Sequence, residues 1–144
     1  MKVLFIILSL AIFDHGCDNC KIDQDNLSIE YSAMSRGSYK QITINKSTIS
    51  IIKQRNTKPI IKECDEAYWQ KITDLIKTID IENISKLEAP SQKRLYDGAA
   101  IANLIITYNG TEYESASFDH GNPPKELEPI VKEILSVSEN IEKQ

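Results

Sequence analysis

Ile101-Ala-Asn-Leu-Ile-Ile-Thr-Tyr-Asn-Gly-Thr-Glu-Tyr-Glu-Ser-Ala-Ser-Phe118 carries the pattern of a β-hairpin. The run from Ile101 to Tyr108 is densely apolar and rich in β-branched residues, as a buried strand requires. Asn109-Gly110 is the pair preferred in a type I′ turn, where both central residues need positive φ. Thr111 to Phe118 then returns, with Tyr113 among alternating polar residues. Beyond it, Asn122 is placed to cap a helix and Pro123 to begin it, with Leu127, Ile130, Val131, Ile134 and Leu135 on one face. Pro129, inside that pattern, should bend the helix or delay its regular start.

The same plan, strands followed by a helix, occurs upstream. Ile29, Tyr31 and Ala33 alternate with polar neighbours over Ser28 to Ser35, and Arg36-Gly37-Ser38 makes a turn. Tyr39 to Asn45 is a second strand, with Ile42 and Ile44 on one face, and Thr48 to Arg55 is a third. Asn56 to Lys58 break the pattern, and Pro59 suits a loop or a sheet edge. A helix is predicted from near Cys64-Asp65, capped by Asp65, with Trp69, Ile72, Ile76 and Ile79 at helical spacing and Tyr68 and Leu75 beside them. The order strand-strand-strand-helix-strand-strand-helix predicts an α+β two-layer sandwich, an antiparallel sheet of four to five strands with two helices on one face. The open face, or an uncovered edge, would suit docking of another chain. Asp80 to Ala99, with Pro90 and Gly98, is a long irregular connection and a candidate working surface.

The N-terminus reads as an address. Lys2 precedes an apolar run from Val3 to Phe13, too short to span a hydrocarbon core of roughly 30 Å as a helix. Phe13-Asp14-His15-Gly16-Cys17 resembles a bacterial lipobox, in which the cysteine is diacylated and becomes the new N-terminus. Asp14 stands where lipoboxes carry a small or aliphatic residue, so secretion after a cut nearby, or an uncleaved anchor, is the alternative. The expected organisation is a signal peptide over residues 1–16, a lipidated N-terminus and tether over 17–27, a single domain over 28–138 and a polar tail over 139–144. Cys17 would be the lipidation site and the means of membrane attachment.

Composition narrows the function. The formal net charge is −4, and the leader carries one lysine and one aspartate, so its removal leaves that value unchanged. Such mild acidity argues against nucleic acid and against polybasic attraction to membranes. Cys20 and Cys64 could pair as a disulfide in an oxidising compartment; alternatively Cys20 lies in the tether and Cys64 is a small buried hydrophobe. His15 leaves with the leader, so His120 is the one imidazole of the mature chain and a multi-histidine zinc site within one protomer is excluded. No metal site and no cofactor is expected.

Two polar segments invite a functional reading. Phe118-Asp119-His120-Gly121-Asn122-Pro123-Pro124 leaves the hairpin, and Arg94-Leu95-Tyr96-Asp97-Gly98 enters it, so both emerge at the same end of the sheet. A contact of Arg94 with Asp119, or of Asp97 with His120, is expected. With Arg36 these residues form a candidate recognition patch: Arg36, Arg94, Asp97, Asp119 and His120. Adjacent residues on an extended backbone point to opposite sides, which weighs against Asp119 and His120 acting as an acid–base pair.

Together with Ser35-Arg36-Gly37 and the leader, the segments Arg94 to Ala99 and Phe118 to Pro124 resemble small uncharacterised bacterial envelope lipoproteins. The resemblance implies a compartment and a fold and supplies no catalytic residues. The expected function is a non-enzymatic, lipid-anchored binding or assembly module of the bacterial cell envelope. The alternatives are a hydrolase or metal-dependent enzyme using Asp97, Asp119 and His120, and an inhibitor of a secreted enzyme presenting a rigid loop within Glu88 to Asp97.

Overall fold

The computed structural model describes residues 23–144. The leader, Cys17 and Cys20 lie outside the described residues, and with them the lipidation site and one partner of the candidate disulfide. Seven strands form one sheet: β1 (Leu27–Met34), β2 (Tyr39–Asn45), β3 (Thr48–Ile52), β4 (Ile60–Glu63), β5 (Ile101–Tyr108), β6 (Thr111–Glu114) and β7 (Phe118–Asp119). Their order is β4-β3-β2-β1-β5-β6, with β7 on the same side of β5 as β6, and every pair is antiparallel. Two helices, α1 (Glu66–Ile76) and α2 (Glu128–Glu142), complete a two-layer α+β sandwich.

Register explains the core. Ile49, Ile44, Ile29 and Ile106 are successive cross-strand partners, and Ile51, Ile42, Tyr31 and Leu104 form the next row. All eight are buried, and they pack with Trp69, Ile72 and Ile76 of α1 and Ile130, Val131 and Ile134 of α2 in one cluster. The alternate positions, Ser28, Glu30 and Ser32 on β1 and Asn103, Ile105 and Thr107 on β5, stay partly solvated on the other face. A strand alternates its side chains, so one face is dry and the other wet.

The termini of the elements follow local chemistry. Asn109 and Gly110 take φ of 49° and 80°, both positive as a type I′ turn requires. The Asp65 carboxylate accepts the Tyr68 amide at 2.8 Å and caps α1. α2 begins later than Asn122 and Pro123 predict. Pro124 is extended (φ −49°, ψ 146°), a 3₁₀ turn spans Lys125–Leu127, and Pro129 sits in the first turn of α2. Pro124 disfavours the helical region for Pro123, so a helix does not open at Pro123. The third strand stops at Ile52 instead of Arg55, and Ile60–Glu63 adds a short edge strand after Pro59.

The return strand after the type I′ turn is also broken. Ile105 pairs with Glu114, but Ala102 pairs with Phe118, so three residues, Ser115 to Ser117, oppose two, Asn103 and Leu104. This is a one-residue β-bulge. The Ser115 hydroxyl accepts the Leu104 amide at 3.0 Å, while the Ser115 amide donates to the Leu104 carbonyl at 2.9 Å. The extra residue reverses the alternation, and it puts Phe118 on the dry face and Asp119 off it.

The two faces predict a sharp asymmetry. Leu104→Ala should cost about 2–5 kcal/mol in urea unfolding because it opens a void in the core. Thr107→Ala, three positions along the same strand but on the wet face, should cost less than about 1 kcal/mol. Equal losses would contradict the assignment of faces.

Candidate functional site

The end of the sheet opposite the type I′ turn gathers the patch residues, in three separate arrangements. Asp119 is 2 % exposed, and its carboxylate accepts four hydrogen bonds. The Ser91 hydroxyl (2.5 Å) and the Lys93 amide (2.9 Å) donate to Oδ2; the Arg94 amide (3.0 Å) and Arg94 Nη1 (3.2 Å) donate to Oδ1. Arg94 also donates to the Ser91 carbonyl at 2.7 Å and, through Nε, to the Ser117 hydroxyl at 3.2 Å. Burial alone would raise this carboxyl; the donors of Ser91, Arg94 and Lys93 prevail and hold it down at about 2. Asp119 is thus ionised at neutral pH and fastens the incoming loop to the sheet.

Asp97 is elsewhere. It takes the left-handed conformation (φ 60°) that ends the 3₁₀ turn Lys93–Tyr96, and its carboxylate meets Arg36 at 3.6 Å in an exposed pair. Gly98 then passes so close to Lys93 that a Cβ would lie 3.1 Å from the Lys93 carbonyl oxygen. An exposed pair of this length contributes little by itself.

His120 is exposed and lies beside the buried Tyr31, with ring centroids 5.9 Å apart. Its Nδ1 lies 2.8 Å from the Tyr31 hydroxyl, which also accepts the Gly121 amide at 3.3 Å. The hydroxyl donates to Nδ1 in the Nε2–H tautomer and accepts from it in the Nδ1–H tautomer. Burial, and then the Lys40 charge, lower the imidazole below its ordinary range, and burial pushes the Tyr31 phenol up to about 12. Both shifts favour a bond between a neutral imidazole and a neutral phenol.

The expected Arg94–Asp119 contact is present; the Asp97–His120 contact is not. Asp97, Asp119 and His120 do not converge, and among the described residues no group of three or more His, Cys, Asp or Glu is placed to hold a metal ion. Asn122 closes its turn on Asp119 and donates to the Ser91 hydroxyl at 2.7 Å. Cys64 is buried and its amide donates to the Ser47 carbonyl at 2.9 Å; burial with the charges of Asp65 and Glu66 pushes its thiol up to about 11.

Three residues of this end were missed in the sequence. Ser91 has no motif, and Tyr31 reads as core. Arg55 leaves the third strand as a solvated charge, yet its guanidinium lies 5.6 Å from the Tyr39 ring centroid and donates to Met34 Sδ at 2.9 Å. Arg55, Met34, Tyr39, Ile52, Ile101 and Asn103 line a concavity of about 680 Å³ on the wet face. A second concavity of about 580 Å³, around Arg36, Asp97 and Ala99, adjoins it through Met34 and Ile101.

No protein-family model, no curated protein and no solved structure matches the chain.

Two variants test the locks. Asp119→Asn should unfold at lower temperature at pH 7. The native carboxyl is depressed, so its contribution is complete above the unfolded value of about 4 and is lost as pH falls toward about 2. Melting curves between pH 7 and 2 should fall more steeply in the parent than in the variant. Tyr31→Phe strands the Gly121 amide and the imidazole, and should cost about 1–3 kcal/mol by urea titration.

Proposed function

We propose that this chain is an exported protein, anchored to a bacterial envelope membrane through lipid on Cys17, whose domain serves as a non-enzymatic binding or assembly module. The observation that carries the reading is the polarity of the domain. The described chain enters at Asp23, and Leu27 opens β1 opposite Tyr108, beside the Asn109-Gly110 and Asn45-Lys46-Ser47 turns. Asp25 meets Lys46 there at 2.7 Å. The patch residues lie at the other end of β1, about 25 Å away for eight residues of strand. A tether at one pole leaves the other facing the aqueous compartment.

The catalytic alternative lacks this support, since each of its three residues is engaged in a different contact. No helix among the described residues is long and apolar enough to cross a membrane, so in this reading lipid supplies the attachment. The resemblance to envelope lipoproteins points the same way. The candidate Cys20–Cys64 disulfide fits the proximal pole, where Cys64 follows the edge strand beside Ser47.

One observation favours the inhibitor reading as a second choice. The loop within Glu88 to Asp97 is pinned through Ser91, Lys93 and Arg94, yet offers Leu95 and Tyr96, 69 % and 72 % exposed. A rigid loop with bare apolar tips is what an inhibitor presents.

Intact-mass analysis of protein purified from membranes should find Cys17 as the N-terminus with added acyl mass. Cys17→Ser should move the protein out of the membrane fraction. An unmodified N-terminus at another residue would overturn the tether.

A further inference from the structure

The pole opposite the tether has the composition of a protein-docking surface. Among the described residues, four of the five most exposed large apolar side chains, Met34, Leu95, Tyr96 and Ile101, are there, and only Ile61 is elsewhere. All three arginines of the chain are at this pole as well. Tyr, Met and Arg are the residues enriched in interface cores and hot spots.

The arginines do different work. Arg94 is consumed by Asp119, with its side chain 11 % exposed. Arg36 is 92 % exposed and has only the exposed Asp97 as partner. Arg55 has no carboxylate within ion-pair distance among the described residues. Its Cζ lies over the Tyr39 ring, 5.6 Å from the centroid, and its single bond goes to a thioether, a weak acceptor. Such a guanidinium is held in place with most of its donors free, the state in which a bidentate carboxylate is bound with little ordering cost.

We propose that this pole docks an extended acidic segment of a protein partner, its carboxylates on Arg36 and Arg55 and its apolar side chains on Met34 and Ile101. The inference rests on the binding-module reading and adds the chemistry of the partner. Charge complementarity sets the orientation. Asp97 is already held by Arg36, while Glu30 stands four residues back along β1 at the far end of the groove. The acidic end of the segment therefore lies over the arginines. The pole faces away from the tether, so the anchoring membrane is not its ligand.

The probe is a capped hexapeptide with three Glu at one end and Leu and Phe at the other, titrated into the ¹⁵N-labelled mature chain in neutral detergent. Shifts confined to Met34, Arg36, Arg55 and Ile101 are expected, and the Lys-for-Glu peptide should leave them unmoved. Arg55→Ala and Arg36→Ala should each weaken binding about tenfold, and Arg55→Lys should restore little of it because the planar fork is lost. Unchanged far-UV circular dichroism will show that the variants fold. No shift at millimolar peptide overturns the proposal. Equal shifts with the lysine peptide, inorganic phosphate or phosphatidylglycerol micelles overturn it in favour of a nonspecific surface, a small-anion site or a lipid site. Acyl mass on Cys17 without peptide binding removes this inference and leaves the tether; peptide binding without acyl mass does the reverse.

Discussion

Strand β1 is the constraint on which the molecule depends. It pairs from Ser28 to Met34 with β2 on one side and along its whole length with β5 on the other, joining segments more than sixty residues apart in the chain. Each row of the core passes through it, at Ile29, at Tyr31 and at Ala33. Such non-local pairing is costly to close, and the area of dry face it assembles offsets that cost. Tyr31 extends the same role beyond packing. Its ring lies 6.1 Å from Phe118 and its hydroxyl holds His120 and Gly121, so the central strand also fixes the loop that follows the bulge.

The bulge and Asp119 act as one device. Had the hairpin continued without its extra residue, Ser117 would oppose Ala102 on the dry face, and the positions of Phe118 and Asp119 would exchange sides. An ionised carboxylate among Ala102, Tyr31 and the helices would be intolerable. With the extra residue, the aromatic ring enters the core and the carboxylate meets a loop whose amides and guanidinium point at it. A buried charge is acceptable only where donors replace the water it has lost. Four do so here. In consequence, the long connection between the helix and β5, which lacks regular structure around Pro90, is held in one conformation where it meets the sheet.

Legibility in the sequence tracked how local the cause was. The type I′ turn, the cap at Asp65 and the alternation of β1 and β2 depend on residues a few positions apart, and they read directly. The bulge did not, because Ser115-Ala116-Ser117 continues the polar pattern of an unbroken strand and only the pairing with Asn103 and Leu104 reveals the extra residue. The late start of α2 was legible in part: Pro129 signalled delay, but the effect of Pro124 on Pro123 outweighed the capping tendency of Asn122. The Arg94–Asp119 contact followed from topology alone, since both segments flank one hairpin. Arg55 could not be found that way. Its partners Tyr39 and Met34 come from other strands, and they become neighbours only when register places Met34 opposite Tyr39.

Three arginines at one pole thus divide by solvation. Arg94 sits against a carboxylate that burial has made dependent on it, so it is spent on the fold. Arg36 shares an exposed carboxylate across 3.6 Å, a contact that water and salt weaken and that another carboxylate can replace at little cost. Arg55 lies between these limits, fixed by an aromatic face yet unneutralised. A surface that organises a cation without neutralising it retains the capacity to recognise an anion, and the apolar side chains around it would exclude water from the contact and strengthen it. Location then selects among anions. At the pole farthest from the entry of the chain, ringed by Met34, Leu95, Tyr96 and Ile101, an anion attached to an apolar polypeptide satisfies both the charge and the surface, whereas a bare inorganic ion satisfies only the charge.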